Sequence, residues 1–182
     1  MLKLYQKLHS KSTKEPPVAI TPDRLSMLVS GIYPRKISIR DSIDNSLANK
    51  VIESLLHLDK RSNEPIVIEI NSDGGSLENA IKIHNAIRSI KAPTIAHVLF
   101  QCYSASFVVL QACTERYVSE RARFLLHNNT RWVEVDPDQD GEAFEEFLKG
   151  VRLKLVENRM KVAALIAPRL HITEAEVVQM MK

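Results

Sequence analysis

From residue 37 onward, short apolar runs alternate with amphipathic stretches. Residues 37–39 predict a strand, and Asp44 or Asn45 can cap a helix in which Leu47, Val51, Leu55 and Leu58 recur at helical spacing. Residues 65–70 follow as a strand whose apolar positions are nearly continuous, as a strand buried on both faces of a parallel sheet requires. Ser76 then caps a second helix with Leu77, Ala80, Ile81, His84, Ile87 and Ile90 on one face. Residues 93–100 predict the next strand, 104–113 a short buried helix, 116–118 and 123–126 two small strands, and 130–141 an acidic loop. A long helix is expected over 142–167, with Phe144, Phe147, Leu148, Val151, Leu155 and Val162 at i, i+3, i+4 spacing and Pro168 closing it. Thr173 and Glu176 form a capping box for one more helix, which has barely begun when the sequence stops at Lys182. Alternation of this kind predicts an α/β fold with parallel pairing.

Composition narrows the class. The chain has 182 residues, 45% apolar and 26% charged, which fits one domain with a small appendage. No apolar run approaches the ~20 residues that span a bilayer, so no membrane segment is expected. The net charge of +3 is accounted for by the first twenty residues, where Lys3, Lys7, Lys11 and Lys14 face Glu15. The rest is close to neutral, which argues against a nucleic-acid-binding surface spread over the fold. Residues 1–30 read as a mobile basic arm. Cys102 and Cys113, eleven apart in one apolar stretch, suit neither a disulfide framework nor a four-ligand zinc site. With no secretory signal pattern at the N-terminus, a reducing, cytoplasmic setting is expected.

Three segments can carry chemistry. Residues 70–76 (Ile-Asn-Ser-Asp-Gly-Gly-Ser) hold two of the five glycines, between a buried strand and a helix N-terminus. A turn of that kind either aims backbone N–H groups at a developing oxyanion or is simply tight. Residues 101–106 (Gln-Cys-Tyr-Ser-Ala-Ser) form a second strand-to-helix junction, where Ser104 is either an exposed nucleophile or an N-cap. Residues 124–128 (Phe-Leu-Leu-His-Asn) end an apolar strand with His127, either a general base or a solvated imidazole.

Order and spacing join the three. A strand followed by Asn-Ser-x-Gly-Gly, a serine 29 residues past the second glycine, and Arg-Phe-Leu-Leu-His ending 23 residues later resemble the proteolytic subunit of the ATP-dependent Clp protease. The resemblance runs from about residue 37 to the C-terminus. It implies an α/β fold of the Clp/crotonase type: a spiral of strand–strand–helix units forming a head domain, residues 31–132 here, with a projecting helical handle, residues 133–182, whose long helix is residues 144–167. It implies a serine endopeptidase with Ser104 as nucleophile, His127 as base and the amides of Gly75 and Ala105 as the oxyanion hole, needing no cofactor or metal. It also implies a homo-oligomeric ring to which an AAA+ unfoldase delivers unfolded polypeptides.

The departures from the family pattern carry expectations of their own. Asp73 stands where the family usually has proline, which should loosen the turn. Cys102 and Tyr103 replace small residues before the nucleophile, and Ser106 is an alternative nucleophile. The family's histidine-orienting aspartate follows the helix that matches residues 173–181, where this sequence stops. The leading expectation is therefore a handle truncated before that acid, with Asp136, Asp138 or Glu174 as substitutes and an inactive ring subunit as the alternative function. An acyl-CoA enzyme of the crotonase type does not need Ser104 and His127 together. A Ser–Lys signal-peptide peptidase is disfavoured by the histidine. Asn71 and Ser72 are expected to shape the turn; His57, His84 and His171 are expected to be structural, and Trp132 to pack at the base of the handle.

Overall fold

The computed structural model describes the strand Tyr5–Lys7 and residues 33–128 and 141–182. The chain divides into two compact units, Met1–Leu126 and His127–Lys182.

In the first unit, β1 (Tyr5–Lys7), β2 (Lys36–Ile39), α1 (Asn45–Arg61), β3 (Ile66–Ser72), α2 (Leu77–Ser89), β4 (Thr94–Tyr103), α3 (Ala105–Ala112), β5 (Glu115–Ser119) and β6 (Arg123–Leu125) follow one another. The strands form one sheet of order β1-β5-β4-β3-β2, with β2, β3, β4 and β5 parallel in sequential order. Because crossovers between parallel strands are right-handed, a sheet that grows in one direction stacks its helices on one face and winds as a spiral. Within the expected basic arm, β1 lies antiparallel to β5.

The caps sit where short polar side chains place them. Asp44 accepts the Leu47 N–H at 2.7 Å and Ser76 accepts the Asn79 N–H at 3.3 Å. The buried face of α2 is Asn79, Ala80, Ile83, His84 and Ile87, rotated from the expected stripe so that Ile83 and Asn79 go in while Leu77 and Ile81 remain half-buried. Ile66, Ile68 and Ile70 of β3 are fully buried, each removing a side chain worth ~1.5–3 kcal/mol from water. On the other face of the sheet, Tyr33, Val67, Ile95 and Tyr117 form an apolar cluster. Beside it the Arg40 Nε donates to Glu69 at 3.1 Å, Lys36 lies 3.6 Å from the same carboxylate, and the Tyr33 hydroxyl meets His97 Nδ1 at 3.0 Å.

The second unit consists of α4 (Gly141–Leu170) and α5 (Glu174–Met180). Pro168 does not close α4. It lies inside the last turn, and the helix ends where His171 takes φ 56° and Ile172 N–H reaches back to Ala167 O at 3.3 Å. That is a left-handed C-terminal cap, with histidine in the position usually given to glycine. Val162, Ala163, Ile166 and Ala167 are buried, whereas Phe147, Leu148, Leu153, Val156 and Met160 are exposed. Thr173 and Glu176 make the expected capping box. The acidic loop, Trp132, Asp136 and Asp138 lie outside the described residues.

Candidate active site

The site begins where β3 and β4 stop matching. Ile70 pairs with Val98, and the next pair is Ser72 with Cys102. One residue, Asn71, separates these pairs on β3, against three, Leu99 to Gln101, on β4. The bulge carries β4 on to Tyr103, three residues past its expected end, and re-aims the side chains beside the turn. β6 then pairs with residues 101–103 of β4.

Ser104 follows directly, at φ 53° and ψ −123°. A non-glycine residue in that region costs ~1–3 kcal/mol and persists only where its surroundings enforce it. Here they do: Ser104 N–H donates to Leu125 O at 2.6 Å, and its carbonyl accepts Phe107 N–H at 3.0 Å. Ser104 occupies the N-cap position of α3, but its hydroxyl makes no capping bond there. This is a strained strand-to-helix elbow whose hydroxyl has no hydrogen-bond partner among the described residues.

The Asp73-Gly74-Gly75 turn packs against that elbow. Gly74 has φ 101°, and a Cβ built there would lie 2.7 Å from Tyr103 O, 2.8 Å from Ser104 Cβ and 2.9 Å from Ala105 N. Only glycine permits this approach. Ser72 secures the turn from below: its hydroxyl donates to Asp41 O at 2.7 Å and accepts Gly74 N–H at 3.1 Å. Ile43 N–H donates to Gly74 O at 2.6 Å, and Ser76 N–H donates to Ile43 O at 2.9 Å. By parallel-ladder geometry this leaves the Gly75 N–H on the edge away from Ile43, without a partner among the described residues. Ala105 N–H, the first of α3, has no partner there either. Two amides without a partner among the described residues thus flank the Ser104 turn, a donor pair of the kind that can hold an oxyanion.

The other candidates separate clearly. Ser106 is fully buried and donates to Tyr103 O at 2.7 Å, so it is no alternative nucleophile in this arrangement. Cys102 is also buried, and desolvation pushes its thiol up to about 12, leaving it protonated and inert. Asp73, which replaces the family's usual proline, accepts a hydrogen bond from Gln101 Nε2 at 2.9 Å through its carboxylate. Asn71 Oδ1 is buried without a partner among the described residues.

His127 opens the second unit. Its Nδ1 lies 2.6 Å from Asn128 O, an oxygen that can only accept, so the proton sits on Nδ1 and a neutral ring keeps its lone pair on Nε2. Asn128 is held in turn by its N–H bond to Met181 O at 3.0 Å. Among the described residues no carboxylate pairs with His127; Glu174 stands exposed in the first turn of α5. Sequence reasoning missed Gln101 and the Asn128 carbonyl. The first needs the bulge to bring it to Asp73, and the second is a backbone atom that no side-chain pattern reveals.

A family model for Clp protease matches residues 23–168. ATP-dependent Clp protease proteolytic subunit 2 of Streptomyces avermitilis is 37% identical over 95 residues, covering 50% of this chain and 48% of the relative. The subunit 2 protein of Treponema denticola is 26% identical over 160 residues, covering 86% of this chain and 76% of its own length. This chain spans about half the length of the first curated relatives it matches. In three dimensions it superposes on ClpP1 from Listeria monocytogenes with a TM-score of 0.61, covering 86% of this chain and 82% of the other at 21% identity, a likeness of fold. With its α/β spiral and a family match extending over most of its length, the chain belongs to the Clp protease family.

Proposed function

We propose that this chain is a serine endopeptidase of the Clp type. The observation that carries the reading is the Ser104 elbow: a hydroxyl held at positive φ, uncapped, beside the free amides of Gly75 and Ala105. Strain of this kind is kept where it aims a reacting group.

In this reading the Ser104 Oγ attacks the scissile carbonyl carbon while its proton passes to His127 Nε2. The carbonyl oxygen becomes an oxyanion and is held by the N–H groups of Gly75 and Ala105. Collapse expels the amine, which takes the proton back from His127, and leaves an acyl group on Ser104. Water then repeats the sequence and releases the acid. The chain path supports the pairing of the two residues: Leu125 accepts the Ser104 N–H, and His127 follows Leu125 by two residues. The Asn128 carbonyl supports the required tautomer. When the orienting aspartate of a well-studied serine protease is replaced by asparagine, kcat falls ~10⁴, attributed to the wrong tautomer. A carbonyl acceptor at Nδ1 avoids that fault, though it lacks the charge that stabilises an imidazolium.

The substrates are unfolded polypeptides, taken by a homo-oligomeric ring fed by an AAA+ unfoldase. The exposed apolar positions of α4 support assembly, since they have no cover within the described residues. A second reading, an inactive ring subunit, is favoured by one observation: the missing carboxylate partner of His127 among the described residues. Labelling with a fluorophosphonate separates the two. The peptidase reading expects one adduct, mapped to Ser104 and absent in Ser104→Ala; the inactive-subunit reading expects none in either protein.

A further inference from the structure

We infer that Asp73 and Gln101 form a clamp that sets the position of the Gly74-Gly75 turn against the Ser104 elbow, and that both are positioning residues for the reaction proposed above.

Regular pairing lapses between β3 and β4 at this point, because β4 carries its bulge opposite Asn71. On its far side the turn is tied by main-chain bonds to Ile43. On the β4 side the lapse is bridged by side chains. Ser106 Oγ, whose proton goes to Tyr103 O at 2.7 Å, also lies 3.2 Å from Ser72 O, before the turn, and Gln101 Nε2 donates to Asp73 Oδ1 at 2.9 Å, within it. Gly74 has no side chain to hold its distance from Ser104, so the separation of turn and elbow depends on its neighbours. Asp73 immediately precedes Gly74, and Gln101 lies three residues before Ser104. The pair therefore links the segment bearing one free amide to the segment bearing the hydroxyl and the other.

The bond also explains how an acid is tolerated here. A free carboxylate beside the Gly75 amide would oppose an oxyanion, and like charges at short range are unfavourable. Pairing with the Gln101 amide directs Asp73 Oδ1 toward β4. A misplacement of ~1 Å in such a site can cost ~10² in rate.

The test uses the full chain and two readouts, hydrogen exchange at residues 41–44 and 72–77 and the rate of fluorophosphonate labelling at Ser104. Asp73→Ala and Gln101→Ala should each speed exchange of the Ile43, Gly74 and Ser76 amides about three- to tenfold and slow labelling by a similar factor, as loss of one hydrogen bond predicts. The double variant should be no worse than either single one, because both remove the same bond. Asp73→Asn, which keeps the acceptor oxygen, should stay within about twofold of wild type. Gln101→Glu, which sets two carboxylates together, should be worse than Gln101→Ala. Unchanged exchange in the single variants, or additive effects in the double one, would overturn the clamp whatever the labelling shows. The catalytic consequence rests on the peptidase reading, and that can fail separately: wild type unlabelled at Ser104, with the exchange pattern as expected, leaves the clamp standing and removes the peptidase.

Discussion

At Ser104 and Gly74 two backbone conformations that residues ordinarily avoid lie against each other, at φ 53° and 101°. Glycine adopts such a conformation freely, whereas serine must be held in it by the Leu125 and Phe107 bonds. The dependence is testable at Gly74. A methyl group there meets two main-chain atoms and a Cβ, none of which can swing aside, and it also makes the positive φ costly. Gly74→Ala should lose about 1–3 kcal/mol in denaturant unfolding and abolish labelling of Ser104; a variant as stable and reactive as wild type would mean that turn and elbow are not packed this closely. A second residue-scale expectation concerns acid. Burial lowers the His97 pKa from its ordinary 6.5, an effect that the Glu69 charge opposes and Lys36 reinforces. The folded protein therefore holds His97 neutral while the unfolded chain takes up a proton, and stability falls as pH drops through about 6.5. Burial pushes the Glu69 carboxyl up, but the Arg40 hydrogen bond and the Lys36 and Arg40 charges together hold it below its ordinary 4.5. Its contribution is present above that value and is lost as pH falls further. Denaturation midpoints should thus decline in two steps, the lower one flattened in Glu69→Gln; a midpoint that does not change between about pH 7.5 and 5 would contradict the His97 assignment, and one that does not change from about pH 5 down to about 2.5 the Glu69 assignment.

Among the elements, local signals suffice where local chemistry decides and fail where neighbours do. The caps at Asp44, Ser76 and Thr173 and the buried run of β3 follow from hydrogen-bonding groups and apolar continuity within a few residues. The end of β4 does not: pairing with β6, a later segment of the chain, carries the strand on to Tyr103. A stop at Pro168 does not follow either, because proline is costly mid-helix but tolerable in a last turn whose closing bond is made further on, at Ile172. Periodicity alone points to one face of α2, whereas packing selects Ile83 and Asn79. Of the site, Ser104, His127 and the glycine pair are legible as residue types at recurring spacing. The freedom of the Gly75 amide, the occupation of Ser106 and the Asp73–Gln101 bond depend on three-dimensional approach. The apolar surface of α4 carries its own prediction, because Leu153 is 61% exposed and Phe147 41%. If this surface packs against another copy, Leu153→Glu and Phe147→Glu should each lower the mass observed by sedimentation while helix content is retained; an unchanged mass would place the assembly contacts elsewhere.

For the whole molecule, the boundary between the two compact units falls between Leu126 and His127, so Ser104, Gly75 and Ala105 belong to the first unit and His127 to the second. No described helix is long and apolar enough to cross a membrane. The family match extends across the boundary between the units. If Ser104 forms an acyl-enzyme with His127 as base, as proposed above, that intermediate can be captured. The full chain would be mixed with an activated peptide ester, quenched in acid and mapped by mass spectrometry beside Ser104→Ala and His127→Ala. One acyl group is expected on Ser104 in wild type, none there in Ser104→Ala, and accumulation at least about a hundredfold slower in folded His127→Ala. An acyl group on another residue, no acyl group at all, or an undiminished rate in His127→Ala would rule out Ser104 as nucleophile with His127 as base.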